Sequence, residues 1–195
     1  LGAWPDRLQA LLFEIAHQLQ RASPCGFAAN DCATFLQLTY EAAQRARDSR
    51  AYEQAAGYLH TAQQLLEACS TLESRATLGF AIASMATECD LQLSRTVAAQ
   101  ARLAECRQRA GSTLERARVC QLQARLETSQ GNCQAAIASA LGGLRMLGIE
   151  LAPGLDPHQV QASHARVQSL IEQKGLHCLE SLPRTDSQEV ALAVG

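Results

Sequence analysis

The chain has 195 residues, of which 47% are hydrophobic and only 4% aromatic, and its formal net charge is −2. Alanine, leucine, glutamine and arginine dominate and are good helix formers, so an all-α fold is predicted. Scattered arginines and a single lysine, Lys174, argue against a nucleic-acid-binding surface. No apolar run approaches the roughly 20 residues that a membrane-spanning helix needs.

The first half of the chain contains predicted helices over residues 5–22, 28–47, 50–69 and 72–93. The opening sequence, LGAWPDRLQA, has no initial methionine and no signal-peptide pattern, so we expect a piece of a longer cytoplasmic protein. Arg45, Arg47 and Arg50 are interpreted as a solvated helix face rather than a phosphate-binding group. Ser70 and Glu73 have the spacing of a capping box, which predicts that a helix begins there.

The second half contains predicted helices over residues 95–110, 113–130, 133–147 and 157–174, a turn near 176–181 and a terminal helix from about 187. Ser112 and Glu115 form a second capping-box pattern. Gly131 and Gly148 each suit the end of a helix. The Asp-Pro pair that begins at Asp156 predicts a helix start, with the aspartate as N-cap and the proline in the first turn.

The predicted helices form pairs in which the second member carries a run of small residues. Aligning Ala55, Ala98 and Ala135 gives spacings of 43 and 37 residues. Small side chains let neighbouring helices approach closely, and we interpret Gly142 and Gly143 in the same way. A tetratricopeptide repeat has a period of about 34 residues. The pattern therefore predicts stacked antiparallel helical hairpins in a TPR-like superhelix.

Two regions are predicted, with TPR-like helical repeats over residues 1–147 and C-terminal capping helices with an exit linker over 148–195. An array of repeats exposes apolar surface at its last helix unless another element covers it. We therefore expect the C-terminal region to close the array by burying its apolar residues, which are Ile149, Leu151, Val160, Val167, Leu170 and Ile171.

Patterns that would indicate chemistry are missing from the sequence. Its eight cysteines include no C-x-x-C pair and mostly lie in apolar helical patterns, so we expect reduced, buried or half-buried thiols. His158 and His164 are six residues apart, whereas metal-binding pairs on helices prefer four. Glu88 and Asp90 are interpreted as a solvated helix face. With no Walker A loop or hydrolase motif either, we predict no catalytic, cofactor-binding or metal-binding residue and no cofactor.

Four stretches resemble a known family in the same order along the chain. They are LFEIAHQLQRA at 12–22, AAQRARDSRAYEQAAGYLHTAQQLL at 42–66, GNCQAAIASALGGLRMLGIELAP at 131–153 and LHCLESLPRTDSQEVA at 176–191. Together they resemble the TPR-like helical-repeat region of STAND-type (AAA-like) ATPase signalling proteins. Such regions occur in large bacterial hybrid histidine kinases and Ser/Thr-kinase–ATPase fusions.

The resemblance implies a non-catalytic role for this chain in a parent protein that is an ATPase and sensor kinase. The family's nucleotide site and its phosphoacceptor histidine lie in other domains, and neither motif occurs here. The chain would be a cytoplasmic module for protein interaction and signal coupling. Its expected partners are the adjacent ATPase and kinase domains, or a peptide or protein in the concave groove, with homo-oligomers possible and no nucleic acid or membrane.

Two other classes of function stay open at this point. A stand-alone helical ligand-binding or enzymatic domain could assemble its site only in three dimensions. A pocket with convergent polar groups and a perturbed histidine or cysteine would favour that interpretation. A helical-repeat segment of a transcription regulator ranks lower, because the sequence contains no basic recognition helix.

Overall fold

The computed structural model describes residues 11–22, 27, 29–68, 75–151, 156–175 and 187–194. The regular elements in these ranges are all helices: α1 (Leu12–Arg21), α2 (Ala29–Asp48), α3 (Tyr52–Ala68), α4 (Arg75–Gln92), α5 (Thr96–Arg109), α6 (Thr113–Ser129), α7 (Cys133–Met146), α8 (Pro157–Lys174) and α9 (Gln188–Val194). The predicted all-α fold is confirmed. The capping box predicted at Ser70 and the turn predicted near 176–181 lie outside the described residues.

Helices that are adjacent in sequence pack in pairs. The pairs α2–α3, α4–α5 and α6–α7 form three hairpins, and α1 packs against the first of them. Helix α4 also packs on α3, while α6 packs on both α4 and α5. Each new hairpin thus places its first helix against the previous hairpin, which confirms the predicted stacking.

One helix belongs to both hydrophobic cores of the stack. Ile82, Met85 and Cys89 of α4 lie in a core shared with α1, α2 and α3. Phe80 and Ala83 of the same helix lie in a second core shared with α5 and α6. Helix α4 is therefore buried on most of its circumference, as expected for the central helix of an array.

The three hairpins close through equivalent turns of three residues, and the middle residue of each turn is left-handed. Arg50, Ser94 and Gly131 occupy these positions, with φ angles of 62°, 57° and 79°. The next residue donates its N–H to the carbonyl five residues earlier, as Arg95 does to Asp90 at 2.8 Å. This is the Schellman arrangement that ends many helices. The predicted helix boundaries place a break at each of these turns, but only the turn at Gly131 has the residue that the left-handed conformation favours.

The left-handed turns predict opposite effects for reciprocal substitutions. Ser94→Gly should raise the free energy of unfolding by up to about 1 kcal/mol, because glycine adopts this conformation without the cost that a Cβ adds. Gly131→Ser should lower it by a similar amount, and a Cβ there meets no atom within 4 Å, so no clash contributes. Urea denaturation of both variants tests this prediction. Shifts in the same direction would show that φ is not the cause.

Small residues of the second helices are buried, but two of the three aligned positions are wrong. Ala55, Ala99 and Ala136 are each the fourth residue of their helix and are buried. The predicted equivalents, Ala98 and Ala135, are exposed. The predicted alignment matched the first alanine of each run. Relative to these runs, α5 and α7 begin one residue later than α3 does, so the second alanine takes the buried position. Tyr52 and Leu59 of α3 pack in the first core, with Ala55 between them in the sequence.

The corrected alignment gives a matched pair of variants. Ala99→Arg should place a charged and much larger side chain in the second core and destabilise the fold by about 3 kcal/mol or more. Ala98→Arg makes the same chemical change at the neighbouring exposed position, where surface substitutions usually change stability by about 0.5 kcal/mol or less. Thermal melting followed by circular dichroism distinguishes them. Equal melting temperatures would contradict the alignment.

Three helix ends in the second half follow the predicted signals, at Ser112, Gly148 and Asp156, whereas the side chain of Asn132 forms no hydrogen bond at the start of α7. Glu115 N–H donates to Ser112 Oγ at 3.1 Å and the Glu115 carboxylate accepts from Ser112 N–H at 2.9 Å, which confirms the capping box. These backbone hydrogen bonds, first that from Ser112, hold the pKa of Glu115 below its usual range. Gly148 ends α7 with a φ of 76°. Asp156 caps α8 by accepting the N–H of His158 at 3.1 Å.

Close approach of α6 and α7 explains one of the two adjacent glycines in α7. A Cβ on Gly143 would lie 2.9 Å from Cys120 Cβ and 3.3 Å from the Ala117 carbonyl oxygen, so only glycine fits there. The same interpretation of Gly142 is wrong, because a Cβ at that position would meet nothing within 4 Å.

The C-terminal region does not bury the apolar residues that were expected to close the array. Ile149 and Leu151 are exposed instead of packing back over the stack, and Val160, Val167 and Leu170 of α8 are 45%, 55% and 45% exposed, with only Ile171 half-buried. The spacing of apolar residues in the sequence shows that one face of α8 is apolar, but it does not show whether that face packs on the array. Helix α9, not α8, packs on α6. The division of the chain at residue 147 stays a prediction, although α7 ends beside it at Met146.

No helix in the described ranges combines the length and the hydropathy needed to cross a membrane.

Candidate functional site

A cleft crosses the first helices of the three hairpins. We name it the arginine cleft, and it has a volume of about 220 Å³. Its walls are formed by Tyr40, Gln44, Arg47, Phe80, Ala81, Ser84, Met85, Glu88 and Arg118. These residues lie on α2, α4 and α6, and the cleft therefore exists only because the hairpins stack in this order.

Two arginines of α6 meet at one carboxylate of α4 beside this cleft. Arg118 Nη2 donates to Glu88 Oε2 at 2.9 Å, and Arg125 Nη1 donates to Glu88 Oε1 at 3.1 Å. Arg118 also donates a hydrogen bond to Gln121 of its own helix. Both oxygens of Glu88 are thus engaged, and the carboxylate fixes the positions of two guanidinium groups.

The electrostatic surroundings of Arg118 are unfavourable for its charge. Burial lowers the pKa of the Arg118 guanidinium; Glu88 opposes this effect, whereas the positive charges of Arg125 and Arg47 add to it. An arginine stays protonated in proteins despite such a shift. Arg47 and Arg118 line the cleft and Arg125 lies beside it. Glu88 pairs with Arg118 and Arg125, whereas Arg47 Nη2 donates to Asp48 Oδ1 at 2.7 Å.

Two interpretations of charged residues as solvated faces are corrected here. Glu88 is half-buried and Asp90 is buried, because both lie on the central helix α4 and each is ion-paired to another helix. Arg47 is half-buried in the cleft, whereas Arg50 is exposed in its turn. Arg45 pairs with Glu41 one helical turn earlier, at 2.7 Å.

Asp90 links three helices on the other side of α4. Arg102 Nε of α5 donates to its Oδ2 at 2.8 Å, and Arg95 Nη1 lies 3.9 Å from its Oδ1. Arg102 also reaches Gln63 of α3 at 3.5 Å, and Arg95 pairs with Glu53 of α3 at 2.6 Å. Because these bonds converge on a buried carboxylate, they stabilise the junction of the first two hairpins.

The importance of Asp90 can be measured against an exposed member of the same network. Asp90→Asn should lower the free energy of unfolding by about 1–3 kcal/mol, because a half-buried arginine loses its charged acceptor. Glu53→Gln should cost about 0–1 kcal/mol, since both partners of that pair are largely exposed. Urea denaturation supplies both values. A loss for Glu53→Gln as large as that for Asp90→Asn would contradict a junction centred on Asp90.

A second surface continues from the cleft along α6 and is bordered by α9. Gln188, Ala191 and Leu192 of α9 form one wall of an open depression of about 390 Å³, and its other walls are formed by Phe80, Leu114, Glu115 and Arg118. Leu192 and Ala193 also border a depression of about 320 Å³ on α6 and α7, which includes Arg125 and Leu144. Helix α9 thus lies along α6 beside both arginines that bind Glu88.

The five described cysteines are free thiols. Cys32, Cys89 and Cys106 are buried and Cys120 is half-buried, as predicted, but Cys133 is exposed at the start of α7. The expectation for Cys25, Cys69 and Cys178 falls outside the described residues. Burial raises the pKa of Cys89 to about 11, with Glu88 and Asp90 acting in the same direction, and burial also raises the pKa of Cys106 and Cys120. Such thiols are weak nucleophiles at neutral pH.

The four histidines that the structure describes do not converge on a site. His17, His60, His158 and His164 are all exposed, and His60 contacts Gln64 of its own helix at 3.2 Å. In the part of the chain that the structure describes, no three histidine, cysteine, aspartate or glutamate residues are grouped so that they could hold a metal ion.

Sequence reasoning missed Glu88, Arg118 and Arg125 as a group. The spacing of Arg118, Gln121 and Arg125 places them on one face of α6, and this was the only available signal. No protein-family model, curated protein or solved structure matches the chain.

Proposed function

We propose that the chain is a helical-repeat module for protein interaction and signal coupling in a cytoplasmic bacterial ATPase or kinase, without catalysis of its own. The arginine cleft carries this proposal. It spans the first helices of three consecutive hairpins and is lined by both polar and apolar side chains. Repeat arrays bind partners through extended surfaces of this kind.

The way the hairpins are joined supports a coupling role. Helix α4 contributes to both cores, and its two acidic side chains, Glu88 and Asp90, bond helices on opposite sides of it. A partner that moves α6 relative to α4 would therefore act on a helix that is also tied to α3 and α5. Transmission between domains needs such a continuous chain of packed and ion-paired elements.

The enzymatic alternative has no comparable support. Burial raises the pKa of the Cys89 and Cys106 thiols, and the described histidines are exposed, so no thiol and histidine come together as nucleophile and base among the described residues. The parent ATPase and kinase rest on the family resemblance of the sequence alone. They are part of the proposal because that resemblance covers stretches from both ends of the chain.

The test uses the full-length gene product that contains this chain. Ala81→Arg should fill the arginine cleft, whereas Ala98→Arg makes the same change at an exposed position of α5. We expect the cleft variant to keep basal ATP hydrolysis and autophosphorylation but to lose their response to the stimulus, while the Ala98→Arg protein responds normally. A gene product without an ATPase or kinase domain, or an unchanged response in the Ala81→Arg protein, would refute the proposal.

A further inference from the structure

The positive charge beside the arginine cleft is arranged around one carboxylate. The guanidinium groups of Arg118 and Arg125 both donate to Glu88, and Arg47 is close enough to affect the charge of Arg118. One acidic side chain thus serves two arginines, while the third, Arg47, is paired with Asp48. Three guanidinium groups are therefore matched by two carboxylates, and the excess positive charge lies at Arg118 and Arg125, although the whole chain has a net charge of −2.

We propose that Arg118 and Arg125 bind a carboxylate from an acidic, partly apolar helix of a partner protein. This inference rests on the proposed interaction function and names the class of partner. A guanidinium group has five N–H donors in a planar fork that matches a carboxylate. Arg125 uses one nitrogen and Arg118 uses two for bonds within the described residues, so donors on both groups can serve a second carboxylate.

Glu88 prepares the arginines for this second carboxylate. It holds both guanidinium groups in place before a ligand arrives, and less side-chain freedom is then lost on binding. The partial burial of Arg118 also strengthens its attraction for an opposite charge, since the local dielectric constant is lower than that of water.

The chain's own α9 indicates the shape of the partner. This short helix lies along α6, where Leu192 and Ala191 share a depression with Phe80, Leu114 and Arg118. Apolar contact and the arginine head groups are therefore adjacent on one surface that already accepts a helix. No ion pair forms between Glu189, the acidic residue of α9, and the arginines of the described chain, so α9 leaves the positive charge available.

A phosphate backbone is the competing source of negative charge. The arginines of this site are grouped at one carboxylate and do not extend along the surface as a stripe that follows a nucleic-acid strand. An apolar depression next to the charges suits a leucine of a helix better than a sugar. A protein segment is therefore the occupant that the surface favours.

The experiment uses the complete 195-residue chain and a fluorescein-labelled peptide, EELLEELLEE, with QQLLQQLLQQ as its uncharged counterpart. Fluorescence anisotropy should detect binding of the glutamate peptide, weakening as salt is added, and at least about tenfold weaker binding of the glutamine peptide. Arg118→Gln and Arg125→Gln should each weaken binding of the glutamate peptide about five- to tenfold. Arg116→Gln on the same helix changes an exposed arginine outside the cleft and should leave binding unchanged.

Circular dichroism melting of each variant shows whether it is folded. If the Arg118→Gln variant is unfolded, peptide binding by the Arg125→Gln variant alone tests the inference. Equal binding of the two peptides would overturn the inference, as would unchanged binding by Arg125→Gln or equally tight binding of a fluorescein-labelled decathymidine. These outcomes leave the coupling test in the parent protein unaffected. Loss of coupling with no peptide binding would refute only the acidic partner, whereas peptide binding without coupling would refute only the proposed function.

Discussion

The burial of α4 between two cores is the constraint on which the stack depends. The helix is apolar around most of its circumference, so neither neighbouring hairpin can cover it alone. The first core covers Ile82 and Cys89, and the second covers Phe80. The few polar residues of α4 must then be paired, because an unpaired buried charge is costly. Asp90 meets this requirement through Arg102, which is why an acidic residue is tolerated at the centre of the array.

Repetition is more regular in the backbone than in the amino-acid sequence. The turns at Arg50, Ser94 and Gly131 share one hydrogen-bond pattern, although only one of the three residues is glycine. A left-handed arginine or serine costs more than a glycine there. The turn fixes where the second helix begins, and this start places alanines such as Ala55 and Ala99 in the core. The burial of these alanines offsets the cost of the left-handed residue.

Local signals predicted much of this fold, and long-range pairing could not be predicted. Capping at Ser112 and the helix end at Gly148 depend on residues close in sequence, so their patterns are visible there. The left-handed conformation of Ser94 and the exposure of Val167 depend on how whole helices pack against one another. That packing cannot be deduced from the local sequence. Glu88 lies 30 and 37 residues from its two arginine partners, and nothing in the sequence alone connects them. The sequence therefore predicted a repeat array with a concave groove, but none of the residues that form the arginine cleft.

The charges of the arginine cleft follow from the same constraint as the core. Glu88 and Asp90 are two residues apart on α4, so they project to opposite sides of the helix. Asp90 pairs with Arg102 of α5, whereas Glu88 pairs with Arg118 of α6, which would otherwise carry its charge half-buried beside Arg125. Glu88 thus reduces the repulsion between two arginines without matching their combined charge. The consequence is a site that is stable when empty and still attracts a second carboxylate. It requires only that one carboxylate pair with two guanidinium groups at the junction of two hairpins.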